Sequence, residues 1–282
     1  MELGGNFELW LRLGAFAAIF LSMAAFELWS PRLERPEMMG ALKSRRWFTN
    51  LSMVLISSIL LRVIFPAAAV GAALWAEANG YGLFPALGLH PLIAAIVAFV
   101  ILDFAVWLEH VVSHKWPLLW RIHRMHHADT GFDVTTGLRF HPVEIVLSMF
   151  WKAAIVVALG APAVSVLIFE IVLNGTAMFN HSNIDLPRPL DRWLRRVLVT
   201  PDMHRVHHST IRRETDSNYG FNFPFWDRLF GTYNDQPSKG HEGMDIGLEQ
   251  WRDATPSGLV WALLLPFRAL APAGDQKKLT GK

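Results

Sequence analysis

The sequence predicts an all-α integral membrane protein, with about four membrane-embedded helices in two hairpins and a cytoplasmic helical cap. Three observations predict it. Hydrophobic types make up 52% of 282 residues and gather in long runs. Charged residues are only 18%, against roughly 25% in soluble domains. Ten of the 12 histidines fall between His110 and His208, in the polar stretches beside the apolar runs.

About 20 mostly apolar residues are needed to cross the hydrocarbon core. Residues 7–29 form the first such run, and residues 48–75 the second, interrupted by Arg62 and Pro66. Residues 89–112 form the third. Two shorter runs, 143–159 and 163–179, are split by Gly160, Ala161 and Pro162, which predicts a tight helical hairpin. A last apolar patch, 259–271, holds Pro266 and is too short to span; it is expected in the interface or against the body. Residues 1–6 carry Glu2 and no basic residue, unlike the start of a cleaved signal peptide.

Basic residues set the orientation. Arg32, Arg35, Lys43, Arg45 and Arg46 lie between the first two runs, and residues 188–213 are also basic, whereas residues 77–85 have no Lys or Arg. The first loop and the long polar part are therefore expected in the cytoplasm, with the N-terminus and second loop outside. The compact length and the lack of an endoplasmic-reticulum retrieval signal lean towards a bacterial inner membrane. The expected division is an N-terminal membrane hairpin (1–87), a catalytic region (88–235) and a peripheral segment (236–282). The absence of cysteine excludes disulfides and cysteine-ligated clusters within the chain. Scattered basic residues argue against nucleic-acid binding.

The histidine spacing carries the chemistry. His110 and His114 stand four apart at the end of the third run. His123, His126 and His127 follow Pro117 at i, i+3 and i+4; His204, His207 and His208 repeat that pattern after Thr200 and Pro201, a good N-cap and first helical residue. On a helix each set shares a face, with imidazoles about 6 Å apart. Neutral imidazole suits iron, copper, nickel and zinc. Eight histidines exceed the shell of one metal, so a pair of metals is the economical reading. Clustered imidazoles without a metal would be costly, because charging one repels the others. His90 and His241 lack such a pattern and are expected to be packing residues.

This constellation resembles the fatty acid hydroxylase/sterol desaturase superfamily. So do Phe140-His141-Pro142-Val143-Glu144, Asn180-His181-Ser182-Asn183, residues 214–220 and residues 225–233. The likeness covers roughly residues 95–235. It implies a membrane di-iron oxygenase, with His110, His114, His123, His126, His127, His204, His207 and His208 as ligands. Some members carry a further histidine pair before the last cluster; here His181 alone stands there and is taken as a ninth ligand. Water, Asn180 or His141 is expected to fill what remains. Zinc can substitute for iron in a purified sample.

Metal-bound histidines usually donate their free N–H to a carboxylate or carbonyl. Asp103, Glu109, Glu144, Asp202 and Asp216 are the acidic candidates for that role. Glu170 lies inside an apolar arm, where an ionisable group is costly. Trp107, Trp116, Trp120, Trp193 and Trp226 are expected in an aromatic belt at the membrane edges. Arg188, Arg192, Arg195 and Arg196 fit lipid phosphates, an acidic electron donor or ordinary orientation bias. The expected activity is O2-dependent hydroxylation of an unactivated C–H bond of a membrane lipid, with desaturation second. Electrons would come from a separate ferredoxin or cytochrome with its NAD(P)H reductase. A haem-binding electron carrier and a zinc hydrolase are the competing readings; the hydrolase lacks the His-Glu-x-x-His pattern.

Overall fold

A computed structural model describes residues 5–269. Among them the chain is helical, with two isolated β-bridges and no strand. In order come α1 (Gly5–Trp29), α2 (Gly40–Ile64), α3 (Ala68–Ala78), one-turn α4 (Leu83–Ala86) and α5 (Pro91–Lys115). They are followed by α6 (Pro117–His127), α7 (Pro142–Leu159), α8 (Ala163–Asn180), α9 (Arg188–Leu194) and α10 (Pro201–His207). The shorter helices α11 (Arg212–Thr215), α12 (Phe225–Leu229), α13 (Gly240–Gly243) and α14 (Leu259–Leu264) complete the fold.

Among the described residues, five helical stretches are long and apolar enough to cross a membrane, one for each of the five apolar runs. The second, Gly40–Ala86, takes in α2, α3 and α4 and is broken at Phe65 and Pro66, because proline removes a helical donor and clashes with the preceding turn. Exposed apolar side chains run along α1 (Trp10, Leu13, Leu21, Leu28) and α2 (Leu55, Ile59, Val63), as a lipid-facing surface requires. The arms of the short hairpin have 18 residues each, about 27 Å, close to the core thickness. Gly160 ends α7 in the left-handed conformation (φ +63°). A Cβ on Gly82 would stand 2.2 Å from the Gly160 nitrogen, so the loop after α3 and the α7–α8 turn meet at one end of the bundle.

The opposite end carries the cap. The Arg32 N–H donates to the Asn183 carbonyl at 2.8 Å, and Glu27 of α1 accepts N–H bonds from both Val134 and Asn183. The ends of α1, α5 and α8 and the starts of α2 and α7 therefore lie together. Two basic residues depart from the expected surface role. Arg46 is buried (1% exposed), and its guanidinium bonds Asp129 at 2.6 and 2.8 Å and Asp133 at 2.9 Å. Arg195 is buried against Asp191 and Asp235. Burial alone would raise Asp129, but Arg46, its hydrogen bonds and Arg139 hold it below the usual carboxylate range.

The aromatic belt also needs correction. Trp116 and Trp193 are exposed, but Trp107 is buried and donates to Asp227, and Trp226 donates to Asp103. Trp120 packs on His114 and His127, its ring centroid 5.0 and 5.5 Å from theirs. These indoles join elements instead of floating at the interface. The C-terminal patch folds as α14 and a 3-10 turn, Leu265–Phe267, packed on α2 and α6; residues 270 and 271 of the expected patch lie outside the described residues, as do residues 1–4 of the N-terminal expectation.

The Arg46 cluster yields a test. Asp129→Ala leaves a buried guanidinium short of its partner and should cost about 3–5 kcal/mol. An apolar replacement of both Arg46 and Asp129 should recover part of it, the remainder reflecting Asp133, which loses its guanidinium partner. Denaturant or thermal unfolding in detergent measures both; equal loss in the single and double variants would show that packing, not charge, is at stake.

Candidate metal centre

Three helices, α5, α6 and α10, and the end of a fourth, α8, supply nine buried histidines. His110 and His114 lie in the last turns of α5; His123, His126 and His127 end α6. His181 caps the C-terminus of α8; His204 and His207 lie in α10, and His208 ends it. All nine are at most 4% exposed. Pro117 and Pro201 occupy first-turn positions of α6 and α10 as expected, but the Thr200 hydroxyl forms no capping bond.

The nine sort into two groups. His110, His114, His123, His127 and His207 form one, and His126, His181, His204 and His208 the other; within each, the ligand atoms lie within 4.8 Å of one another. The division follows helical geometry. The i, i+4 pairs His123/His127 and His204/His208 stay together, while His126 and His207, at i+3, cross to the other group. Each adjacent His-His doublet therefore straddles the two groups.

The nitrogens that converge are the ones left without protons. His110 Nδ1 donates to the Tyr219 carbonyl at 2.7 Å, His207 Nδ1 to Ser217 at 2.7 Å and His181 Nδ1 to Ala177 at 2.7 Å. His123 Nδ1 meets Glu144 at 2.6 Å, and His126 Nδ1 lies 3.3 Å from the Arg139 carbonyl. With Nδ1 as donor, a neutral imidazole has a bare lone pair on Nε2. Those Nε2 atoms face one another: His123 lies 3.1 Å from both His110 and His127, and His127 lies 3.1 Å from His114. His181 Nε2 stands 3.2, 3.1 and 3.2 Å from those of His126, His204 and His208. His207 Nε2 is buried with no hydrogen-bond partner.

Where both rings donate through Nδ1, as in His110/His123 and His126/His181, the contact is not a hydrogen bond, because lone pair faces lone pair. Nitrogens bound about 2.1 Å from one metal and at right angles stand about 3 Å apart, which matches the spacing. The residues present thus fit two cations, one in each group. Burial, followed by neighbouring imidazoles, holds His126, His127, His204 and His208 well below the usual histidine range; burial holds His207 there too, and lowers His181 to about 4. All are neutral at pH 7, the form that binds metal.

The remaining candidates divide. Glu144 faces His123, and Asp216 lies 3.4 Å from His114 Nδ1 while also pairing with Lys115 and Arg212. Asp103 accepts from Trp226, Glu109 from Ser148, and Asp202 pairs with Arg32 and Arg205. None of those three joins a histidine of the two groups. His141 caps α7, accepting from the Val143 N–H and donating to the Leu263 carbonyl. Asn180 donates to the Phe221 carbonyl at 3.0 Å, and its Oδ1 is buried without a hydrogen-bond partner. His90 likewise caps α5, and His241 is buried 3.6 Å from Asp202.

Sequence reasoning missed the loop that supplies the carbonyls. Asn218, at φ +50°, donates to the Met203 and Asn234 carbonyls and accepts from the Asn234 N–H. Asp227 accepts from the backbone N–H groups of Tyr219 and Gly220, from Trp107 and from Thr232. Together they fix Ser217 and Tyr219 at the rings they hold. The Asp227 motif was visible in the sequence, though its role was not.

From the membrane side, a cavity of about 750 Å³ reaches His110 and His123. It is lined by α1, α2, α5, α7 and α8, with Leu13, Leu61, Met149 and Phe221 among its apolar walls. Its size lies in the usual range for small-molecule sites, about 300–1,000 Å³.

The fatty acid hydroxylase family model matches residues 95–232. Ornithine lipid hydroxylase OlsE of Rhizobium tropici is 31% identical over 154 residues, 54% of this chain and 45% of that protein. Human (Homo sapiens) alkylglycerol monooxygenase is 25% identical over 147 residues, 50% of this chain and 31% of that protein. Cholesterol 25-hydroxylase of Rattus norvegicus is 23% identical over 145 residues, 50% of this chain and 47% of that protein. The match thus spans less than half the length of each relative. No solved structure matches.

Gly137 tests the carbonyl support. A Cβ there would stand 2.6 Å from the Ala177 carbonyl oxygen and 3.2 Å from His181 Nδ1. Gly137→Ala should weaken metal binding by the four-histidine group about 10–100-fold. Gly14→Ala, with open space around it, should leave binding unchanged. Metal titration of chelator-stripped protein reads the difference.

Proposed function

We propose, for a chain that belongs to the fatty acid hydroxylase family through residues 95–232, that it hydroxylates an unactivated C–H bond of a membrane lipid at a di-iron centre. The observation that carries this reading is the pair of all-histidine groups at the inner end of an apolar cavity within the membrane-spanning helices. The five-histidine group contributes His110 and His123 to the cavity wall, so that centre faces the substrate. His181 and the other three sit behind it.

Two irons held by these groups would supply O2 activation and removal of hydrogen from carbon. Overall, one O2, two electrons and two protons convert C–H to C–OH and water. The chain's own residues do the positioning. Glu144, Ser217, Tyr219 and Ala177 keep the ring nitrogens deprotonated towards the metals and their planes fixed. Met149, Leu61 and Phe221 exclude water and hold a lipid chain beside His110 and His123. Nine clustered histidines exceed the three protein ligands usual at a catalytic zinc, which weighs against a zinc hydrolase. Nitrogens about 3 Å apart on convergent rings leave no room for a porphyrin between them, which weighs against haem. Desaturation uses the same centre and differs in substrate pose.

Electrons are taken from a separate ferredoxin or cytochrome with its NAD(P)H reductase. The cap, with the basic loop after α1, is placed on the cytoplasmic side of a bacterial inner membrane, where such donors reside. The relatives' names support a lipid substrate: an ornithine lipid hydroxylase, an alkylglycerol monooxygenase and a cholesterol hydroxylase.

The doublets provide the test. His207→Ala removes a ligand of the five-histidine group, and His208→Ala one of the four-histidine group. Detergent-purified protein should hold two irons per chain and consume O2 when given reductant. Each variant should lose about one iron and essentially all O2 uptake, by the large losses expected of metal-ligand removal. One tight zinc, no iron uptake and no O2 chemistry would end the oxygenase reading.

A further inference from the structure

The cavity that ends at His110 and His123 does not stay apolar along its length. Arg12 of α1, Lys152 of α7 and Glu170 of α8 line it together. Arg12 Nη2 meets Glu170 Oε2 at 2.7 Å, and Lys152 Nζ meets Oε1 at 3.3 Å. Both oxygens of the buried carboxylate are thus engaged. Lys152 brings three donors and has a long contact with Glu170. Ser57 of α2 lines the same cavity; it is 3% exposed, and its hydroxyl has no hydrogen-bond partner.

These groups stand well away from the metal groups. Lys152 lies eight residues along α7 from Glu144, the residue that holds His123, which is about 12 Å. Glu170 precedes His181 by eleven residues of α8, or about 16 Å. Ser57 follows Asn50, which bonds Asp129 in the cap, by seven residues of α2, or about 10 Å. Arg12 and Lys152 meet at Glu170, and Ser57 lines the same cavity, so three helices bring donors to one cavity inside segments long and apolar enough to cross a membrane. Ionisable groups at such depth are costly and persist where they serve a pathway or a ligand. A structural tie between helices would explain Arg12 and Glu170. It does not explain an unpartnered buried serine hydroxyl on a fourth element, or a lysine with donors to spare, both on the wall of one cavity.

We propose that Lys152, Arg12 and Ser57 bind a hydrogen-bond-accepting oxygen group of the lipid, a carboxylate or an acyl carbonyl, and so set which carbon stands at His110 and His123. The site acts as a ruler: the chain between the oxygen group and the oxidised carbon fills the apolar walls. This rests on the oxygenase reading for its purpose, but the binding itself needs no metal.

The experiment uses metal-stripped, full-length protein in detergent. Hexadecanoic acid, its methyl ester and hexadecane displace a fluorescent alkyl probe from the cavity. Wild type should prefer the acid, the ester or both over the alkane by at least about tenfold, as hydrogen bonds to a charged group allow. Acid over ester assigns a carboxylate to the site; equal binding of the two assigns a carbonyl. Lys152→Met and Ser57→Ala should each shrink the preference, and Lys152→Arg should retain it. Thermal unfolding is measured alongside. If Lys152→Met unfolds early, Ser57→Ala carries the test. Equal binding of all three probes by wild type, no binding of any, or an undiminished preference in a folded Lys152→Met or Ser57→Ala variant overturns the proposal. Preference without lipid oxidation in iron-loaded protein would sink the oxygenase reading alone; oxidation without preference would sink the ruler alone.

Discussion

Everything in the cap follows from the mutual repulsion of bare imidazole nitrogens. In each group, Nε2 atoms of rings whose Nδ1 donates on the far side, His110 and His123 or His126 and His181, approach to about 3 Å. Such an arrangement is unfavourable in itself and becomes favourable when a cation shares the lone pairs. The fold has to hold the rings in place against that repulsion. It does so with groups that cannot retreat: carbonyls of Ala177, Ser217 and Tyr219, and the Glu144 carboxylate.

Those groups are held in turn by buried polar contacts. Asp227 gathers the backbone N–H groups of Tyr219 and Gly220. Arg46, Asp129, Asp133, Asn50 and Thr136 brace the segment between α6 and α7. Arg139 reaches the Met125 and Pro256 carbonyls, while its own carbonyl faces His126. Buried ionic groups of this sort are weak sources of net stability but strong constraints on geometry, since any displacement leaves a charge unpaired. The site is therefore held as a rigid dome on the spanning helices.

Much of this was legible in the sequence. Helical spacing marked the histidines, and apolar runs marked all five candidate spans, including the break at Pro66. The allocation of histidines to two groups was also latent in the spacing: four residues turn a helix by about 400°, nearly a full cycle, whereas three fall about 60° short. The supporting carbonyls were not legible, because every residue carries one and only tertiary structure selects among them. Charge type misled at Arg46, which reads as a topology-setting surface residue but is buried by its two carboxylate partners. It misled again at Asp103 and Glu109, close in sequence to His110 yet turned towards Trp226 and Ser148. Aromatic residues near a predicted membrane edge read as a belt, but hydrogen bonding drew Trp107 and Trp226 inward.

The straddling doublets have a mechanical consequence. His126 and His127 are joined by a single peptide unit, as are His207 and His208, and their Cα atoms stand about 3.8 Å apart whatever the state of the centre. Two such links, on separate helices, cross from one metal group to the other. The two histidine groups are thereby tied together in covalent geometry at two points, like a pair of rivets through adjoining plates. A metal bound in one histidine group would thus be linked to the other group through bonds that cannot stretch.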